Sequence, residues 1–262
     1  MTVATDIAFA VLPLRFSERS DAMDAFLRLL SMAPVVTAPG GGFAVLVAGG
    51  GGRVMVHGVD SAQSGPAAGT TDLCLATEDT DRAAAALRAA GRQVRVWDES
   101  YGRQGALLGA AGEEIALNET QRDLYGYEGH DGADADPRLT VVAVRPTDDI
   151  EADVASFAAL GFVPRGDAAP GWCPVQGAAG TGIIGLHRPA PGEQCSRDTG
   201  SEFGRAAAAR IGSETSEDLG RLAARLRDAG HPVELREGGG AGALHVADPD
   251  GVVVEIHPAP GR

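Results

Sequence analysis

His245, Glu255 and His257 flank the turn Asp248-Pro249-Asp250-Gly251 and are spaced so that they could do chemistry together. Side chains alternate along a strand, so Glu255 and His257 share a face, and His245 on the adjoining strand is their neighbour across the turn. With His187 from further upstream they could hold a divalent transition metal. They could also form a general acid/base pair, since carboxylate and imidazole in contact favour each other's charged form. The plain alternative is a salt bridge at the rim of the fold.

Other residues could orient a ligand. Arg210 offers a planar fork to a carboxylate, from Glu255 or from a ligand, and Trp172, in Gly171-Trp172-Cys173, could stack on a flat ring. Asp72, pointing the same way as Cys74, could accept a ligand hydrogen bond, with Tyr101 and Arg103 on a nearby loop. His57 and His187 hold corresponding places. The segment Gln121 to Tyr127 either packs over a ligand site or is a plain linker. The ionisable groups gather in the second half of the chain, so that half is expected to carry the site and the first is expected to be degenerate.

The elements that must position these residues come from a duplication. Leu87-Arg88, Gly91, Val94 and Gly112 recur at one constant interval as Leu226-Arg227, Gly230, Val233 and Gly251. Leu30 and His57 recur likewise as Leu160 and His187. Each unit reads as strand, helix and three strands from its apolar spacing and Gly-rich turns. The units open on strands at Asp6–Leu14, Leu73–Ala76, Leu139–Val144 and Ala206–Ile211. Their helices are expected at Asp21–Leu30, Asp79–Ala90, Asp148–Leu160 and Glu217–Ala229. We therefore expect an α+β fold of four βαβββ units in two tandem domains, 1–122 and 138–262, joined by a linker over 123–137. Each would be a curved, mostly antiparallel sheet around a cup, with helices outside. The polar stretch Pro189–Gly204 is expected to be a loop.

Composition removes several chemistries. All 22 basic residues are arginine, so Schiff-base, P-loop and Ser-Lys chemistry through a lysine are excluded. A formal charge of −14 argues against nucleic acid as a partner. Three scattered cysteines suggest neither a disulfide framework nor a zinc cluster. With no apolar run long enough to span a bilayer and no signal-peptide pattern at the start, no membrane partner and a cytoplasmic location are expected.

The four units, closing on Ala247-Asp248-Pro249-Asp250-Gly251-Val252-Val253-Val254-Glu255-Ile256, resemble the vicinal oxygen chelate superfamily of glyoxalases, bleomycin-resistance proteins and extradiol dioxygenases. That resemblance implies metal ligands on the first strand of each unit and on the last strand of each pair. Glu255 falls on one such position. Leu139 and Ala206, and in the first half Phe9 and Ala116, fall on others and supply none; only Asp72 could coordinate there. The resulting expectation is a protein, monomer or homodimer, that binds a small planar organic molecule in a cup without a metal cofactor, as antibiotic-resistance members of the superfamily do. Trp172, His187, Arg210, His245, Glu255, Asp72 and Tyr101 would bind the ligand. The alternative is a metal-dependent lyase, isomerase or ring-cleaving dioxygenase using Glu255, His187, His245 or His257; a third reading is a scaffold whose cups fill themselves.

Overall fold

Helix α2 (Thr80–Ala89) buries Ala83, Ala84 and Leu87, and α4 (Leu219–Asp228) buries Leu222, Ala223 and Leu226. The spacing i, i+1, i+4 puts each trio on one stripe against a sheet. Asp79 and Asp218 cap the two helices by accepting from Arg82 N and Arg221 N, and Gly91 and Gly230 follow their ends at positive φ. The duplication legible in the sequence is thus a duplication of helix starts, faces and stops.

The computed structural model describes residues 7–62, 65–99, 102–121, 123–166, 169–199, 204–236 and 242–260. The first unit holds β1 (Phe9–Val11), β2 (Leu14–Ser17), α1 (Ser20–Leu29), β3 (Ala33–Thr37), β4 (Phe43–Val47) and β5 (Arg53–Gly58). The second holds β6 (Thr71–Asp72), β7 (Cys74–Thr77), α2, β8 (Val94–Glu99), β9 (Gly102–Leu108) and β10 (Glu114–Glu119). The short β11 (Glu128–Gly129) precedes the third unit, which holds β12 (Leu139–Pro146), α3 (Ile150–Ala158), β13 (Val163–Pro164), β14 (Trp172–Gln176) and β15 (Ile183–His187). After β16 (Ser196–Asp198) and β17 (Arg205–Ala207), the fourth unit runs β18 (Arg210–Thr215), α4, β19 (Val233–Arg236), β20 (Ala243–Ala247) and β21 (Val253–Pro258).

Units three and four make one curved sheet in the order β13-β14-β15-β12-β18-β21-β20-β19. Units one and two form two sheets, β11-β3-β4-β5-β2-β6 and one in which β7 and β10 join β1, β9 and β8, with β1 pairing β7 and β2 pairing β6, both antiparallel. The fold is α+β, as expected. The helices pack outside, and the two halves share one apolar core that includes Phe9, Leu46, Leu75, Leu139, Phe157, Ile184 and Ile256.

Two expectations about chain segments need correction, and the linker segment holds a short strand of its own. The opening strand of unit four is β18, starting at Arg210, while Ala206 lies on β17 and pairs with Glu114 of β10 in the first half. The stretch expected as a loop, Pro189–Gly204, contains β16, which pairs with β17 and extends the first half's sheet. The 123–137 segment contributes β11, which pairs with β3. β11 pairs with β3 and β17 with β10, both far away in sequence, so local pattern carries little sign of either.

The halves meet through reciprocal contacts. Val11 N donates to Thr181 O (2.7 Å) and Val141 N donates to Gly51 O (2.9 Å). Gly52 and Gly182 allow this approach, since a Cβ on Gly182 would stand 2.9 Å from Gly52 Cα. Two arginines in equivalent places, both fully buried, reach across. Arg15 binds Asp248 (2.9 Å) in the closing turn of unit four, and also donates to Gly69 O. Arg145 binds Glu113, next to the closing turn of unit two, and lies 3.3 Å from Asp153 of α3. Burial pushes the Asp248 and Asp153 carboxyls up and the Arg15 guanidinium down, so desolvation outweighs each partner's attraction. Such pairs fix the register of the halves more than they add stability.

Candidate functional site

Each half encloses a cup on the face away from the core. The first cup is a cavity of about 540 Å³. Its floor is apolar: Leu12, Val45, Cys74 and Ala76 cluster there, with Leu14, Phe43, Met55 and Ala116 packed against them. Strand β5 presents Arg53, Met55 and His57 to the cavity, alternating with Val54 and Val56, which enter the core. The mouth is crossed by the 124–131 segment, where Tyr127 stacks on Phe43 (5.1 Å between ring centres, 14° between planes). His130 ties the strap down, its Nε2 lying 2.8 Å from Thr37 Oγ1. His57 stands edge-on to Phe43 at 5.9 Å, and its Nδ1 meets Gly58 O at 2.9 Å.

The second cup is a cavity of about 480 Å³ lined by Val142, Val144, Trp172, His187, Arg210, Glu214, Glu255 and His257. The Trp172 ring lies against Gly185, where any Cβ would meet it at 2.2 Å. The charged groups here are paired, whereas the Ser213 hydroxyl is buried without a hydrogen-bond partner. Arg210 Nε is 3.2 Å from Glu193 Oε1 and its Nη2 is 3.2 Å from His187 Nε2. Arg165 holds Glu214 at 2.7 Å, and His257 lies 3.5 Å from Glu255. Burial, aided by Arg210, pushes the His187 imidazole below its ordinary value despite Glu193. Glu255 is held below the usual carboxylate range, chiefly by its hydrogen bond to His257 and then by the nearby His245 and Arg210.

The sequence candidates are therefore distributed unevenly. Trp172, His187, Arg210 and Glu255 do come together in the second cup. His245 sits directly across from Glu255, between it and Glu234 on β19, but does not line the cavity. Asp72 is taken: Arg197 grips both of its oxygens, at 2.7 and 2.6 Å, away from either cavity, so the expected ligand acceptor is part of the packing between halves. Burial, only partly offset by Arg197, pushes the Asp72 carboxyl up, and burial keeps the Cys74 thiol protonated. Tyr101 lies outside the described residues. The positions assigned to the cups on the opening strands also shift. Phe9 and Leu139 face the core, and the cup-facing residues are Leu12 and Leu14 in the first half, and Val142 and Val144 in the second.

No family model and no curated protein sequence matches the chain. Solved structures do match along almost its whole length. Catechol 2,3-dioxygenase superposes with a TM-score of 0.56 at 15% identity, covering 97% of this chain and 88% of that one. The 2,3-dioxygenase LapB from Pseudomonas sp. KL28 gives 0.61 at 11%, covering 97% and 91%. The Mn(II)-bound glyoxalase from Novosphingobium aromaticivorans gives 0.56 at 17%, covering 97% and 82%. The fold is that of the vicinal oxygen chelate superfamily.

At such identity the likeness establishes the fold and leaves the chemistry to the residues. Among the described residues no three His, Cys, Asp or Glu side chains converge where they could hold a metal ion. In the second cup the guanidinium of Arg210 contacts both His187 and Glu193, so a cation brought to them would be repelled. The cup-facing positions of the opening strands there are Val142 and Val144 on β12 and Arg210, Gly212 and Glu214 on β18, and the one carboxylate among them, Glu214, is held by Arg165. A vicinal oxygen chelate metal site needs several such donors, and this donor set does not fit one.

Sequence reasoning missed Glu193, Glu214 and Arg165, which neutralise the second cup, and the aromatic wall of the first. A signal for the latter was present. Phe43-Ala-Val-Leu-Val47 is apolar at both parities, so its strand must bury both faces, one in the core and one in the cup.

Proposed function

We propose that the protein binds a planar organic molecule in its first cup and needs no metal to do so. The observation that carries this reading is the cavity of about 540 Å³ with an apolar floor and the stacked Phe43–Tyr127 pair at its mouth. Its size is in the range of cavities that enclose drug-sized ligands. Apolar burial and ring stacking supply affinity, at roughly 25 cal/mol per Å² of apolar surface removed from water. Sequestration in the manner of a resistance protein is the activity such a cup performs without further chemistry.

The rival reading is a metal-dependent lyase, isomerase or dioxygenase centred on Glu255, His187, His245 and His257 in the second cup. Its support comes from the structural neighbours, whose names describe dioxygenases and a Mn(II)-bound glyoxalase. The mutual pairing of the second cup's charges weighs against it. Two measurements on one preparation separate the readings: elemental analysis after purification without chelator, and thermal shift against planar aromatic compounds in EDTA. Substoichiometric metal together with a melting temperature that rises with compound concentration supports the first reading. Stoichiometric iron or manganese and no shift overturn it.

A further inference from the structure

The first cup has two chemically different ends. Met55 stands level with Leu14 on the ladder between β2 and β5, which places His57 two residues further along and Arg53 two residues back. Phe43 pairs directly with His57, so rings gather at that end. Leu12, two residues before Leu14 and so toward the Arg53 end, donates its backbone N–H to Cys74 O, and Asn118 and Gln104 pair one step beyond, level with Ala76. Arg53, Gln104 and Asn118 therefore gather at the end opposite the rings, together with Gln121 just past β10.

Asn118 Nδ2 and Gln121 Oε1 are buried with no hydrogen-bond partner. The protonated Cys74 thiol beside Asn118 is a weak acceptor at best. Arg53 makes no ion pair among the described residues, in contrast to Arg165 and Arg210 in the other cup. The carboxylates that line the same cavity are already engaged: Glu119 accepts from Thr80 N and Asp131 from Ala133 N. A guanidinium and a buried amide donor left open at one end of an apolar cavity match an oxyanion, because planar N–H forks bind carboxylates with two parallel bonds. Leaving them unmatched on binding a wholly apolar molecule would forfeit that energy.

We propose that the ligand of the first cup is a planar aromatic acid. Its ring system lies toward Phe43 and Tyr127, and its carboxylate meets Arg53 and Asn118 Nδ2, with Gln121 Oε1 available to a hydroxyl on the same edge. This rests on the first-cup reading above and adds the charge of the ligand to it.

The test is calorimetric titration of the full chain with 2-naphthoate and with 2-naphthamide, which share shape and differ in charge. The acid is expected to bind about tenfold more tightly or better, as charge-assisted hydrogen bonds are worth about 1.5–3 kcal/mol. Arg53→Gln is expected to bring the ratio of the two affinities to about one, and added salt to narrow it in the wild type. A ratio at or below one in the wild type, or a ratio that survives Arg53→Gln, overturns the acid assignment while the cup reading stands. Binding of neither probe overturns both.

Discussion

The two halves share their outer architecture and part company inside their cups. Outside, the correspondence is close: buried Arg15 and Arg145 reach across to opposite closing turns, and Asp79 and Asp218 cap matching helices. Even an aromatic–histidine pair recurs, Phe43 facing His57 and Trp172 facing His187 across the strands. Within the cups the surroundings differ. His57 lies among rings, whereas His187 is caught between Arg210 and Glu193. Ionisable groups are thus a poor guide to a binding cup here. In the second half they satisfy one another, and in the first half an apolar cavity keeps a few polar groups unsatisfied.

The shared features can be broken first. Arg145→Met leaves Glu113 and Asp153 buried without their cation, and a loss of about 3–5 kcal/mol in urea unfolding is expected. Arg15→Met should show a loss of the same order through Asp248. If one substitution costs less than about 1 kcal/mol while the other costs several, the clasps are not equivalent. A smaller effect separates the cups. Tyr127→Ala removes a stacking partner worth about 0.5–1.5 kcal/mol, so affinity for a planar probe should fall several-fold to about tenfold. Trp172→Ala should leave that affinity unchanged by calorimetry, and an equal loss from both would mean that the ligand is shared between the cups.

A third difference appears on titration. His187 is pushed below its ordinary value by burial, so the folded state resists its protonation. The unfolded chain takes that proton first, near pH 6.5. Any contribution of His187 to stability is therefore complete above that pH and is lost as pH falls through it. The NMR midpoint of His187 should lie below 6.5 and should rise in Arg210→Gln, because Arg210 is one cause of the depression. A midpoint near 7 in the wild type would contradict the paired second cup. The smallest effect concerns helix ends. Three helices are followed by Gly91, Gly161 and Gly230 at positive φ, but α1 is followed by Ser31 at φ 71°. Ser31→Gly should stabilise the chain by about 0.5 kcal/mol in thermal unfolding, net of the lost Arg225–Ser31 hydrogen bond. Destabilisation would show that this hydrogen bond dominates.

Much of the fold was legible because its signals are local. Leu226-Arg227 and Gly230 repeat Leu87-Arg88 and Gly91, and the Asp248–Gly251 turn closes the last hairpin as its residues demand. The opening strand of the fourth unit was misplaced because Arg205-Ala-Ala-Ala-Ala-Arg210 has no alternation, and its division between β17 and β18 depends on distant partners in both sheets. Of the site, residue types were legible and partners were not. Arg210 and His187 were recognised, but Glu193, from a stretch without periodicity, is what quiets them. The first cup was overlooked because Leu14, Val45 and Met55 look like ordinary core residues until the sheet's curvature shows that they face a cavity.

The central claim is that the first cup binds without a metal, and one calorimetric comparison meets it directly. 2-Naphthamide is titrated into chelator-treated wild type, Met55→Trp, which fills the first cup, and Val144→Trp, which fills the second. Binding in the wild type and in Val144→Trp, with none in Met55→Trp, is the predicted result. Loss in Val144→Trp with retention in Met55→Trp, or binding that appears only after iron or manganese is restored, would contradict it.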